Sequence, residues 1–334
     1  MKKILFLEEQ FSMQGTTRAL LDYAYYNQKI LGNESVIAFG KKQNNFPWNE
    51  PFYNQILENT FDSIKNNFEL LFYKQNYNIL NEYIQNNNFD AIYNIKSGEI
   101  TGFYTNKTKM LIHAVFPQPL SNIHGHKYAF VSKYLSDKSS NGIIPYVPHM
   151  VNVPKIDIES SKTEIRQKYN IPNDALVYGR IGAFDDFNLP FVHKAIIDVI
   201  DKRKDLYFLM ISTMPFYKHE RIIYIDPLYD IKEKYKHIAA CDAAIHARHH
   251  GETFGLGIAE FCWMNKPIVT WKHGHEKGYI EILKNDGIYY NNENDLLDIF
   301  LNFSPEKGKE YNSYREFSPK NVMNQFNDVF LKDI

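Results

Sequence analysis

Arg248-His249-His250-Gly251-Glu252-Thr253-Phe254-Gly255-Leu256-Gly257-Ile258-Ala259-Glu260 is the stretch on which the reading of the fold turns. Two carboxylates flank a Phe-Gly-Leu-Gly turn, and an apolar run ending in Lys266-Pro267-Ile268-Val269-Thr270 follows. Gly251 and Gly255 argue against a continuous helix through Glu252. The segment therefore reads as a strand end, a glycine-containing loop and a helix start, with Glu252 in the loop and Glu260 in the second helical turn. Free backbone N–H groups at a helix start suit an anion, and two acids suit hydroxyl groups. Diphosphate plus polyol describes a nucleotide-sugar. Taken alone, two acids at this spacing more often cap a helix and sit solvated on its face.

Working outward, short β-type runs alternate with helix-length segments, the pattern of parallel α/β layers. In the first half, strands are predicted at 3–7, 35–39, 91–95, 110–115 and 128–132, a helix at 15–31, and helix-compatible spacing over 54–88. The second half repeats the scheme. Strands are predicted at 176–181, 206–212, 221–225, 243–247, 267–271 and 287–290, with helices at 190–202, 231–240, 256–264, 278–284 and 293–303. Between the halves, the proline-rich run from Pro145 to Pro154 and the polar residues 157–162 read as a linker, followed by a short helix at 163–169. This gives domains at 1–152 and 171–310, a linker with entry helix at 153–170, and a C-terminal portion at 311–334. Ser318-Pro319 starts the last helix there, proline occupying the first turn.

A chain of 334 residues is long for one core and natural for two domains. Lys+Arg 38 against Asp+Glu 39 leaves a net charge of −1, which argues against a nucleic-acid partner. Cys241 and Cys262 are the only cysteines, so no disulfide framework is expected and a reducing cytoplasm is the simplest setting. No apolar stretch approaches the roughly 20 residues of a membrane span. The apolar start, residues 4–7, stops at Glu8-Glu9 and reads as a buried strand rather than a secretory leader.

Glu252 to Glu260 resembles the E-x7-E motif of family 4 retaining glycosyltransferases. Lys266-Pro267-Ile268-Val269 is similar to that family's Lys-Pro-Val segment, and Cys241-Asp242-Ala243-Ala244-Ile245-His246 to its Ala-Asp plus buried strand. Tyr178-Gly179-Arg180-Ile181-Gly182 resembles the strand that opens its donor domain. In the first half, Ile112-His113-Ala114-Val115-Phe116, Phe130-Val131-Ser132-Lys133-Tyr134-Leu135 and Gln14-Gly15-Thr16-Thr17-Arg18 occupy places the family keeps. The resemblance spans most of the chain and is specific around 248–270.

It implies an α/β fold of the GT-B type, two facing Rossmann-like domains with a cleft between them. The first would be the acceptor side and the second would bind the nucleotide-sugar, with the C-terminal helix packing back on the first. The implied reaction moves a sugar from a nucleotide diphosphate-sugar to a glycan, lipid-linked or protein acceptor with retention of configuration. Glu252 and His113 would serve the reacting sugar, and Glu260 the ribose hydroxyls. Arg180 and the amides of Phe254, Gly255 and Leu256 would meet the diphosphate or sugar, with Gly15 in the first loop. The family commonly places a Lys five to six residues beyond the Arg, where this chain has Phe184-Asp185-Asp186-Phe187-Asn188; Arg248 or Lys272 is left to supply that cation.

His246, His249 and His250, with His124/His126 and His273/His275, raise a metal reading. Their His-x-His spacings lack the accompanying acids or cysteines of a recognised site, so no metal and no cofactor is expected. Two rival functions are a silent nucleotide-sugar or glycan-binding protein and a GT-B nucleotide-sugar epimerase. A nicotinamide enzyme is disfavoured, since no G-x-G-x-x-G turn follows the first strand. The expected location is cytoplasmic, with peripheral membrane association left open by the lipid acceptors of some relatives.

Overall fold

A parallel sheet buried on both faces needs strands that are apolar along their length, and the chain supplies two such sets. The computed structural model describes residues 1–11, 15–42, 64–228, 230–306 and 308–334. Two compact units emerge, one formed by Met1–Met150 with Phe317–Ile334 and the other by Val151–Glu316. Of the stretch read as a linker, residues 145–150 count with the first unit and the rest with the second, while the terminal helix counts with the first.

The first unit holds β1 (Lys3–Phe11), β2 (Glu34–Lys42), β3 (Glu69–Phe72), β4 (Ala91–Lys96), β5 (Lys109–Ala114) and β6 (Lys127–Phe130). They form one sheet in the order β3-β2-β1-β4-β5-β6, every pairing parallel. Ile4, Leu5, Phe6 and Leu7 are fully buried in the central strand, each contributing about 1.5–3 kcal/mol. β1 runs past the expected stop at Leu7, because Glu8 is itself buried. Burial pushes its carboxyl up to about 8, against a hydrogen bond with Thr17 that works the other way. A neutral acid can sit in a strand where an ionised one cannot.

β3 corrects the helical reading of 54–88. Glu69-Leu70-Leu71-Phe72 pairs with β2 from Val36↔Glu69 onward, and a four-residue apolar run carries no period to tell strand from helix. The helix Tyr77–Asn87 does form, started by Asn76, whose side chain accepts from the Asn78 amide, and ended by Asn88 in the left-handed region. The part of that expectation before residue 64 lies outside the described residues.

The C-terminal helix Pro319–Phe326 has Ser318 as its cap and a final wider turn at Asn327–Leu331. Phe326 stacks on Tyr23 at 5.2 Å, and Phe330 meets the edges of Tyr93 and His113 at 5.7 and 5.4 Å. These rings are fully buried, so the last residues of the chain complete the core of the first unit.

The second unit holds β7 (Leu176–Ile181), β8 (Leu206–Ile211), β9 (Ile222–Ile225), β10 (Ala243–His246), β12 (Ile268–Trp271) and β14 (Ile288–Tyr290). Their order is β14-β12-β10-β7-β8-β9, again all parallel. Each sheet has its first strand central, the next two to one side and the last three to the other. In such a winding the crevice lies where the direction reverses, beyond the strand ends between β1 and β4 or between β7 and β10.

The entry helix is longer than predicted, Ile158–Lys168, because Asp157 caps it by accepting from the Ser160 amide. It carries Arg166, buried, which donates to the carbonyls of Ala240, Asn173 and Ala175 and pairs with Asp242 at 2.7 Å. A further feature has no precedent in the sequence pattern. β11 (Gly251–Glu252) and β13 (Glu276–Lys277) pair in parallel as a separate two-stranded sheet. Among the described residues, no helix is long and apolar enough to cross a membrane.

Candidate functional site

The helix Leu256–Trp263 begins where the sequence placed it, with Gly255 at its N-cap in the left-handed region at φ 86° and no side chain capping it. The first backbone bond runs from the Ala259 amide to the Gly255 carbonyl. The amides of Leu256, Gly257 and Ile258 therefore lack an intrahelical acceptor. A Cβ at Gly257 would stand 2.8 Å from the carbonyl oxygen of Ile181, so this first turn is pressed against the C-terminal end of β7. That end borders the crevice of the second sheet. The Phe254 ring is buried against Tyr314, and its carbonyl accepts from the Tyr314 hydroxyl at 2.7 Å.

Ahead of the helix lies a charged cluster. Arg248 Nη1 donates to Glu252 Oε2 at 2.9 Å, and its Nε stands 3.0 Å from Asp186 Oδ1. His246 Nε2 is 3.5 Å from Glu252 Oε1, while its Nδ1 lies 2.9 Å from the Thr270 hydroxyl. Burial alone would raise the Glu252 carboxyl, but the contacts with His246 and Arg248 outweigh it and hold the group below the ordinary carboxylate range. Glu252 is an anion at neutral pH. Asp186 is raised by burial, against the pull of Arg248. Its loop is tied to the same strand end, for Asn188 donates its amide to Ala247 O and accepts the His249 amide at 2.8 Å. No spacing in the sequence marks Asp186 or His246 for this site: the loop after β7 meets the end of β10 only through the sheet order.

Arg180 sits differently from its expected role. It is buried, and its guanidinium donates to Ser212 O at 2.6 Å, Thr213 Oγ1 at 3.1 Å and Ala183 O at 2.5 Å. Burial pushes its pKa down to about 10. These bonds tie the loops after β7 and β8 together at the rim of the crevice, and Asp186 and Glu252 lie near enough to favour the guanidinium's charge. Lys272, the other candidate cation, is exposed.

Glu260 lies on the second turn of the Leu256–Trp263 helix and is ion-paired with Lys234 of the helix Ile231–Ala240, both side chains being less than a fifth exposed. No spacing in the sequence marks Lys234 as its partner. A ligand hydroxyl would share Glu260 with this ammonium.

His113 departs furthest from expectation. It lies on β5 and is fully buried inside the first unit. Its Nε2 is 2.8 Å from Val147 O and its Nδ1 is 2.6 Å from the Tyr93 hydroxyl. A carbonyl can only accept, so Nε2 carries the proton and Nδ1 accepts from Tyr93. Tyr23 and Phe330 close round the ring, and burial, with His149 nearby, pushes its pKa down to about 3. This is a neutral core histidine with both nitrogens in use, not one facing a cleft. Gly15 is exposed at the first position of the helix Gly15–Lys29, and residues 12–14 lie outside the described residues.

No family model matches the sequence. No curated protein matches it either. Solved structures do share the fold. A glycosyltransferase from Rickettsia africae ESF-5 superposes with a TM-score of 0.71 at 18% identity, over 100% of this chain and 99% of that one. Anabaena Alr3699/HepE, in complex with UDP and glucose, gives 0.69 at 13% identity, over 99% and 100%. A UDP-N-acetylglucosamine 2-epimerase gives 0.56 at 11% identity, over 99% and 96%. At such identities the likeness is one of fold, and the fold is GT-B: α/β, with two Rossmann-like units.

Proposed function

We propose that this chain is a glycosyltransferase that moves a sugar from a nucleoside diphosphate-sugar to a hydroxyl of a glycan, lipid-linked or protein acceptor, with retention of configuration. The observation that carries the reading is the uncapped start of the Leu256–Trp263 helix at the crevice of the second sheet, with ionised Glu252 before it and Glu260 one turn in. The amides of Leu256, Gly257 and Ile258 stabilise the departing diphosphate, aided by the helix dipole. Arg248, held between Asp186 and Glu252, supplies the cation that the Phe184-Asp185-Asp186 loop lacks. Glu260, oriented by Lys234, accepts the ribose hydroxyls, and Glu252 those of the sugar. These groups neutralise the leaving group without a metal.

In this reading the bond from the anomeric carbon to the phosphate oxygen breaks as the acceptor oxygen approaches on the same face. The phosphate oxygen takes the acceptor proton. UDP-sugars are the first donors to try, since a fold neighbour was solved with UDP and glucose. Calorimetric titration with UDP, GDP and ADP tests the site: one nucleotide should bind, and Glu260→Ala should weaken it by about 1–3 kcal/mol. Unchanged affinity in that variant removes Glu260 from the ribose.

The epimerase fold neighbour favours a second reading, in which the same site cleaves and rebuilds the donor without an acceptor. Incubating UDP-sugars with and without candidate acceptors separates the two. Binding with no transfer, hydrolysis or epimerisation would leave a nucleotide-sugar-binding protein.

A further inference from the structure

The two-stranded sheet of β11 and β13 brings His250, His275 and Glu276 together, although 25 positions separate the first from the second. Each places one donor atom within 4.8 Å of the other two. The backbone fixes this approach: the Glu276 amide donates to His250 O at 2.7 Å, and the His275 amide to His249 O at 3.3 Å. The two imidazoles lie nearly parallel, 17° apart with centroids at 5.4 Å. His275 Nδ1 stands 3.1 Å from Glu276 Oε1. Two ligands each about 2.0–2.2 Å from one ion stand roughly 3–3.5 Å apart; the His275–Glu276 pair already has that spacing, and a turn of the exposed His250 ring would bring in the third donor.

The burial pattern has the same sense. Glu276 is almost wholly buried, whereas His250 and His275 are exposed. The carboxylate thus forms the floor of a shallow site with two imidazoles at its rim. We propose that His250, His275 and Glu276 bind a borderline divalent transition-metal ion of the zinc class, leaving its remaining positions to water. Imidazole nitrogens with one carboxylate select such ions over calcium or magnesium, which prefer all-oxygen sites. The acid missing from the His-x-His spacings is the residue next to His275.

The ion is a staple, not a reactant. It joins β11, which carries Glu252 two residues past His250, to β13, which leads into the helix Gly278–Leu283. Bound metal therefore restrains the segment between β10 and the Leu256–Trp263 helix, and this inference holds whether or not the chain transfers sugars.

The test uses the untagged full chain, stripped with EDTA and titrated with Zn2+ alone by calorimetry, with Co2+ as an optical probe. One saturable site per chain is expected, with visible Co2+ absorption bands that Zn2+ displaces. His275→Gln, an exposed position, and Glu276→Gln should each weaken Zn2+ at least tenfold, while His124→Gln leaves it unchanged. Zn2+ should also slow amide exchange at 250–252 and 275–277 in the parent but not in His275→Gln. Absence of saturable binding overturns the proposal. So does Zn2+ affinity that survives in both variants when their melting in EDTA matches the parent.

Discussion

Two arginines at the crevice of the second sheet carry the same charge but bond to different partners, and substitution can tell their roles apart. Arg180 is buried and its hydrogen bonds go to neutral acceptors, Ser212 O, Thr213 Oγ1 and Ala183 O, with Asp186 and Glu252 acting on it only through their charge. Lysine cannot span those positions, because its three donors radiate from one nitrogen instead of a planar fork. Arg180→Lys should therefore cost about 2–4 kcal/mol of folding stability by urea unfolding. Nucleotide affinity should stay within about threefold under conditions where the variant is folded. A fully stable variant with lost nucleotide binding would return Arg180 to the diphosphate. Arg248 faces two carboxylates, and the one to change is Glu252. Glu252→Gln keeps the shape but removes the anion that His246 and Arg248 hold ionised. Turnover should fall by about 10²-fold or more in a donor assay, with UDP affinity almost unaltered. Equal turnover would take Glu252 away from the reacting sugar.

At the scale of elements, the helix Leu256–Trp263 owes its place to a residue without a side chain. Gly257→Ala puts a methyl group 2.8 Å from the Ile181 carbonyl, tighter than such atoms pack, and the obstacle is backbone that cannot swing aside. The helix must tilt off β7, carrying its free amides with it. A loss of about 1–3 kcal/mol is expected in denaturant unfolding, together with at least tenfold weaker UDP binding. Parent-like affinity would show that the first-turn amides do not meet the nucleotide. This helix was legible because Gly251 and Gly255 punctuate an apolar run. The second-unit strands, continuous apolar runs closed by polar turns, were legible too, to within a residue or two. Elements made by tertiary contact were not. β3 is four residues long and needs β2 beside it, and β11 and β13 are two residues each and exist only as a pair. The same limit governs the site. Glu252 and Glu260 stand out as a pattern, whereas Asp186, His246 and Lys234 join them through sheet order and helix packing. His113 was visible as a strand-end histidine, but not its burial, which depends on Phe330 from the far end of the chain.

For the molecule as a whole, two buried titrating sets pull the first unit in opposite directions as pH changes. His113 and His149 are held neutral by burial, their pKa values lowered from 6.5 to about 3 and about 4. The unfolded chain takes up their protons from about pH 6.5 downward while the folded unit refuses them. Their stabilisation is complete above pH 6.5 and drains away as pH falls, each histidine costing about 1.4 kcal/mol per pH decade within its window. Glu8 does the reverse. Its carboxyl is raised by burial from 4.5 to about 8, so its contribution is complete below pH 4.5 and drains away as pH rises towards 8. Glu8→Gln keeps a neutral group that can still meet Thr17, and removes the ionisation. The variant should be more stable than the parent by on the order of 1–3 kcal/mol at pH 8, and within about 0.5 kcal/mol of it at pH 4.5. Amide exchange of β1, β4 and β5, read as a function of pH, isolates the first unit from the second. A variant no more stable than the parent at pH 8 would mean that Glu8 is ionised in the fold.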